Sequence, residues 1–132
     1  MYKTESLMMV ITSETYPAKR NSKTQKRLYA PNENSNKLVV WYRGGNKLQD
    51  SKYFYDPVKR ELLLNCSDNS RSMGLKTIMA FEWALENVEF EYLIRPTPSS
   101  YVNFSYLQKL YDKKFMNQKF LYAGTVQTLE YK

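Results

Sequence analysis

The run ELLLNCSDNSRSMGLKTIMAFEWALENVEFEYLIRPTPSSYVN, residues 61–103, decides how the chain is read. Two apolar segments of strand length, residues 62–64 and 92–94, bracket a longer segment whose apolar residues recur at helical spacing. The pattern predicts a β-α-β unit: a strand over 61–65, a helix capped by Ser72 and ending at Asn87, and a strand over 92–95. Met73, Ile78, Phe81, Trp83, Ala84 and Leu85 give that helix a wide apolar surface to press on a sheet. Loops leaving the carboxyl ends of such strands face the crevice where open α/β sheets take their ligands. Residues 65–72 and 96–101 are therefore the expected site, opening from two neighbouring strands onto one shared anion pocket. Pro96 and Pro98 exclude regular structure and stiffen the second loop.

Toward the N-terminus, residues 7–12 (LMMVIT) form a nearly continuous apolar run, as a parallel strand buried on both faces requires. Pro17 suits a first helical turn, and a helix over 18–29 follows. It carries Lys19, Arg20, Lys23, Lys26 and Arg27, which cannot all share one face at 3.6 residues per turn. Two readings stand side by side: a solvated surface helix, or a first turn that sees a phosphate, with Arg20 a weak anion-binding candidate. Residues 31–37 have turn composition, residues 38–42 (LVVWY) are a second strand, and Gly44 and Gly45 end it in a turn. Neither a spaced dinucleotide fingerprint nor a Walker sequence surrounds those glycines. Residues 47–60 receive no firm assignment, being either a short helix or an excursion whose Tyr53, Phe54 and Tyr55 cover a sheet edge. Beyond the central run, residues 103–111 have helical spacing and residues 120–126 supply a last strand.

The whole chain has 132 residues, which suits one α/β domain with a mostly parallel sheet and flanking helices. Twenty Lys and Arg against 13 Asp and Glu leave a formal charge of +7, a field that draws in anions. There is no histidine, which removes the usual general base near neutral pH, the Ser-His-Asp arrangement and most catalytic zinc sites. A lone Cys66 forms no internal disulfide, no apolar run approaches a membrane span, and the N-terminus lacks the layout of a secretion signal; a cytoplasmic location is the expectation.

The segment from Asp68 to Thr77, DNSRSMGLKT, resembles the D-S-Y-x-N-L-T-L-K-T signature of the β-1,3-galactosyltransferase and Fringe-like glycosyltransferases. WALEN, residues 83–87, is similar to the end of that family's helix. YLIR, residues 92–95, resembles its Y-V-L-K strand, YVN, residues 101–103, its F-V-N, and FLYAG, residues 120–124, a later Y-L-G strand. The resemblance implies a Rossmann-like sheet of the GT-A type that holds a nucleotide sugar, of the UDP-sugar class, for hexose transfer to an acceptor. It also implies Mn or Mg held by a D-x-D motif under the diphosphate. Here Thr97, Pro98 and Ser99 stand at the acidic positions, and hydroxyls carry no neutralising charge. The chain ends about where the family's acceptor half begins, which gives two expectations: the nucleotide-binding half of a longer enzyme, or a reduced or inactive form.

The leading expectation is thus a glycosyltransferase-like domain in which cations meet the diphosphate. Arg71, Lys76 and Arg95 would do so, Thr97, Ser99, Ser100 and Asn103 would add hydrogen bonds, and Asp68 would take a ribose or base hydroxyl. No residue is marked as catalytic. Plain structural roles compete at each position: a turn and cap for Asp68 and Ser72, a solvated helix start for Arg71 and Lys76, a rigid loop for residues 97–100. The alternative from another class is a non-enzymatic basic adaptor that binds nucleic acid or a protein through the 19–27 helix and the Tyr53–Tyr55 aromatics.

Overall fold

A computed structural model describes residues 1–15, 17–29, 37–45, 51–110 and 112–113. The chain divides into two compact units, Met1–Tyr101 and Val102–Lys132. The first is a mixed α/β unit built on a five-stranded, mostly parallel sheet.

Its first strand is β2 (Ser6–Ile11), an interior strand that follows a two-residue strand β1 (Tyr2–Lys3) of a separate ladder. Every residue of β2 is buried, as its unbroken apolar run requires when both faces are covered. Helix α1 (Ala18–Leu28) leads to β3 (Lys37–Gly44), which lies parallel to β2 with Leu7 opposite Leu38 and Ile11 opposite Tyr42. Next comes β4 (Tyr53–Asp56), an edge strand antiparallel to β5 (Glu61–Leu64), and β5 is itself parallel to β3. The stretch 53–56, unassigned from the sequence, is thus a strand: Tyr53 and Tyr55 pack on the core while Phe54 is left exposed. A single 3-10 turn, Ser70–Ser72, opens α2 (Met73–Asn87), which runs into β6 (Val88–Glu89) and β7 (Tyr92–Ile94). Among the described residues β6 pairs with β1 alone, a small parallel ladder that the sequence does not announce.

The five-stranded order is β4-β5-β3-β2-β7. Chain order runs outward from β2 to β3 and β5 on one side, then jumps back across to β7 on the other. The expectation that the strands of the central β-α-β unit are neighbours is corrected here. β5 and β7 are parallel but β3 and β2 stand between them, a separation of about 14 Å at ordinary strand spacing. Both still end at the same edge of the sheet.

The two helices lie on opposite faces. Leu7, Met9, Ile11, Val40, Tyr42, Leu62 and Leu64 form one core with Met79, Ala80, Trp83 and Ala84 of α2. Each aliphatic side chain fully buried there contributes about 1.5–3 kcal/mol. On the other face Thr12 and Trp41 meet Ser22 and Gln25 of α1. The sheet-facing surface expected for α2 also needs correction. Met73, Ile78 and Leu85 are exposed, and the buried set is Lys76, Met79, Ala80, Trp83 and Ala84, a narrower stripe with a cation at its head. Ser72 occupies the N-cap position without capping: its hydroxyl donates to Asn69 Oδ1 (3.1 Å), which also accepts from the Ser72 amide.

In the second unit α3 (Phe104–Leu110) starts after Asn103, whose Oδ1 accepts from the Tyr106 amide at 3.1 Å. Of the loop expected over 31–37, Lys37 instead opens β3 and residues 31–36 fall outside the described residues, as does the last strand expected over 120–126.

Candidate functional site at the carboxyl edge of the sheet

Because β2, β3, β5 and β7 are all parallel, the loops after Ile11, Gly44, Leu64 and Ile94 gather along one edge. Asp68 ties three of the elements there together. Its Oδ2 accepts from the Glu14 amide (2.9 Å), and its Oδ1 from the Gly44 amide (3.0 Å) and the Lys76 ammonium (2.9 Å). The Lys76 and Asp68 side chains are only 4% and 11% exposed. This approach demands glycine at 44, since a Cβ there would lie 2.5 Å from the Ser67 carbonyl oxygen and 2.8 Å from the Asp68 Cα. Asp68 and Lys76, the sequence's candidates for a ligand hydroxyl and a diphosphate, are thus bound to each other, and Asp68 to two backbone amides as well.

Arg95 leaves the end of β7 exposed and approaches the Tyr42 hydroxyl, which also pairs with Thr77 Oγ1 in α2 at 2.9 Å. Burial pushes the Tyr42 phenol up, and the Thr77 hydrogen bond and the Arg95 charge only partly oppose it. Arg71 is exposed in the turn that opens α2. Cations of the two loops singled out from the sequence therefore both belong to the α2 side of this edge.

The rest of the second loop turns toward α1. Gln25, buried although polar, donates from Nε2 to the carbonyls of Thr97 (3.1 Å) and Ser100 (2.8 Å), while its Oε1 accepts from Trp41 Nε1 (3.0 Å). The Thr97 hydroxyl pairs with those of Ser99 (3.1 Å) and Ser100 (3.0 Å), a small exposed hydroxyl cluster. Two of these hydroxyls, Thr97 and Ser99, stand with Pro98 where the resembled family has carboxylates. Neutral oxygens already bonded to one another do not fit its divalent ion. Among the described residues there is no group of three or more His, Cys, Asp or Glu that could hold a metal. Asn103 belongs to the second unit, where its carboxamide oxygen serves α3. Cys66 is buried, and burial pushes its thiol up.

A cavity of about 190 Å³ opens on the α1 side of the same edge. Lys19, Ser22, Lys23 and Lys26 of α1, Thr12, Ser13 and Glu14 after β2, Trp41 and Arg43 of β3 and Glu61 of β5 line it. Glu14 bridges Arg43 (2.8 Å) and Lys19 (2.9 Å), and Lys26 pairs with Glu61 (2.7 Å). The charge of α1 is plain in the sequence but its place is not, and Arg20 is not part of the lining. The missed signal is spacing: 19, 22, 23 and 26 fall at i, i+3, i+4 and i+7, one helix face. The aromatics proposed to stack on bases are engaged elsewhere, Tyr55 against Trp83 (4.8 Å between ring centroids) and Tyr53 on Glu82 (2.9 Å).

Among the described residues no helix is long and apolar enough to cross a membrane. Comparison of the chain with protein-family models, curated proteins and solved structures finds no match.

Proposed function

We propose that this chain is a glycosyltransferase-like, nucleotide-sugar-binding domain, Rossmann-like in its GT-A form, that meets its ligand's diphosphate with cations in place of a metal. The observation that carries the reading is Arg95: exposed at the end of β7, its charge acts on the Tyr42 hydroxyl, which is bonded to Thr77 of α2, the helix that the turn holding Arg71 opens. An anion there is met by two guanidiniums, which form charge-assisted and bidentate hydrogen bonds with phosphate oxygens. The strand order supports the same place, since ligands of open α/β sheets sit at the carboxyl edge where the order reverses, here between β2 and β7. Thr97, Ser99 and Ser100 offer hydroxyls to the sugar or diphosphate. Asp68 and Lys76 act one step back, holding the 65–72 loop against β2 and β3.

The ligand is expected to be of the UDP-sugar class, and hexose transfer is the reaction the resemblance implies. Titrating UDP and UDP-hexoses against the thermal midpoint, with and without Mn²⁺, tests the proposal. A ligand that binds only the folded state adds about 2.7 kcal/mol at a hundredfold excess over Kd. The expected result is a saturable rise that does not require Mn²⁺ and is weakened at least tenfold by Arg95→Ala. No shift at millimolar UDP or UDP-hexose, or one indifferent to Arg95, would refute it.

A further inference from the structure

The α1-side cavity carries an inference that is independent of the nucleotide-sugar reading. Its lining holds four cations, Lys19, Lys23, Lys26 and Arg43, against two carboxylates, Glu14 and Glu61, an excess of two positive charges. Lys26 is matched by Glu61, while one carboxylate, Glu14, is shared by Lys19 and Arg43. Lys23 has no ion-pair partner among the described residues. Arg43 Nε is the one buried side-chain nitrogen or oxygen among the described residues without a hydrogen-bond partner. A charged donor kept from water and left unmatched is costly, and because Arg43 lines the cavity an acceptor arriving there is the group that would relieve it.

Size narrows the class. At about 190 Å³ the cavity is well below the roughly 300–1,000 Å³ of sites that enclose drug-sized ligands. It is too small for a nucleotide sugar and suits a compact anion. The hydroxyls of Thr12, Ser13 and Ser22 add neutral hydrogen-bonding groups to the lining. The Glu14 carboxylate shows how an anion is gripped, with one oxygen on Arg43 and the other on Lys19. That residue is exposed, and its backbone is anchored separately through its amide to Asp68, so the side chain can leave without the loop unfolding.

We propose that this cavity binds a phosphate dianion, free or as the phosphomonoester end of a small molecule, and that Glu14 is an internal competitor which the phosphate displaces from Lys19 and Arg43. Lys23 then supplies the charge that Glu14 cannot match, and Arg43 Nε gains an acceptor. The Lys19 hydrogen bond holds the Glu14 carboxyl below its ordinary value, assisted by Arg43, consistent with a real grip on the anion already there.

Potassium phosphate and methyl phosphate, titrated into the whole chain at constant ionic strength with chloride as the reference, provide the test. The thermal midpoint is expected to rise saturably with phosphate and not with chloride. Tighter binding of methyl phosphate identifies an esterified ligand, and tighter binding of inorganic phosphate a free one. Glu14→Gln removes the competing charge and should tighten phosphate at least fivefold, whereas Lys23→Gln, an exposed change that leaves the fold alone, should weaken it at least fivefold. UDP affinity should be unchanged in Lys23→Gln, so failure of either site is read separately. The proposal is overturned by the absence of a saturable phosphate effect in both the unaltered chain and Glu14→Gln, by unchanged or weaker binding in Glu14→Gln, or by indifference to Lys23→Gln.

Discussion

The Asp68 carboxylate joins the ends of β2 and β3 to α2, with two backbone amides and one ammonium as its donors. Such a group is a fixed part of the scaffold, because removing either member of a buried ion pair strands the other. Lys76→Met is expected to lower the unfolding free energy by about 3–5 kcal/mol in urea. Asp68→Ala should cost more, since it strands the ammonium and also unmatches the Glu14 and Gly44 amides, at about 1–3 kcal/mol for each one left buried. A smaller loss for Asp68→Ala than for Lys76→Met would contradict the picture of a three-way bracket. From the sequence this Asp could equally be a turn residue or a ligand group. The choice depends on Gly44 and Glu14, 24 and 54 residues away, and no local pattern reports such contacts.

At the scale of elements, α1 explains why part of the site was hidden. Its buried positions are Ser22 and Gln25, polar residues that leave no apolar stripe for periodicity to find. The helix docks by hydrogen bonds, Ser22 to Thr12 and Gln25 to Trp41, with Tyr29 closing its end against the Trp41 ring at 6.4 Å between centroids. Gln25 also shapes the 97–100 turn, so one carboxamide connects a core indole to the loop with the hydroxyl cluster. Gln25→Leu keeps the bulk and removes all three hydrogen bonds. It should lower stability by about 2–4 kcal/mol, built from unmatched groups of about 1–3 kcal/mol each, and speed amide exchange at Ser100, whose amide bonds to the Thr97 carbonyl. A loss below 0.5 kcal/mol with unchanged exchange would mean that the turn holds without the helix. By contrast β2, β3, β5, β7 and the span of α2 were legible, because apolar runs and helical spacing report burial directly. The aromatic stretch 53–55 was not: an edge strand shows one face to the core and one to water, and its three rings read alike.

At the scale of the first unit, function depends on what parallel strands do together. β4 carries the chain back from the carboxyl edge within the plane of the sheet, and α1 packs on the Trp41 face through Gln25. The cavity lies where α1 meets β3 and β5, and the proposed nucleotide site lies across the sheet where Arg95 and Arg71 stand beside α2. The two loops do share one edge, as the β-α-β pattern implies, but their strands are not neighbours, because strand order is a long-range property that such a pattern leaves open. The central claim is that cations at this edge, on the α2 side, hold the diphosphate. Amide hydrogen exchange with and without millimolar UDP tests it most directly, since bound ligand slows exchange where it holds the backbone. The account predicts slowed exchange in residues 67–72 and 95–101, lost in Arg95→Ala; unchanged exchange in both loops, or slowing confined to α1, would contradict it.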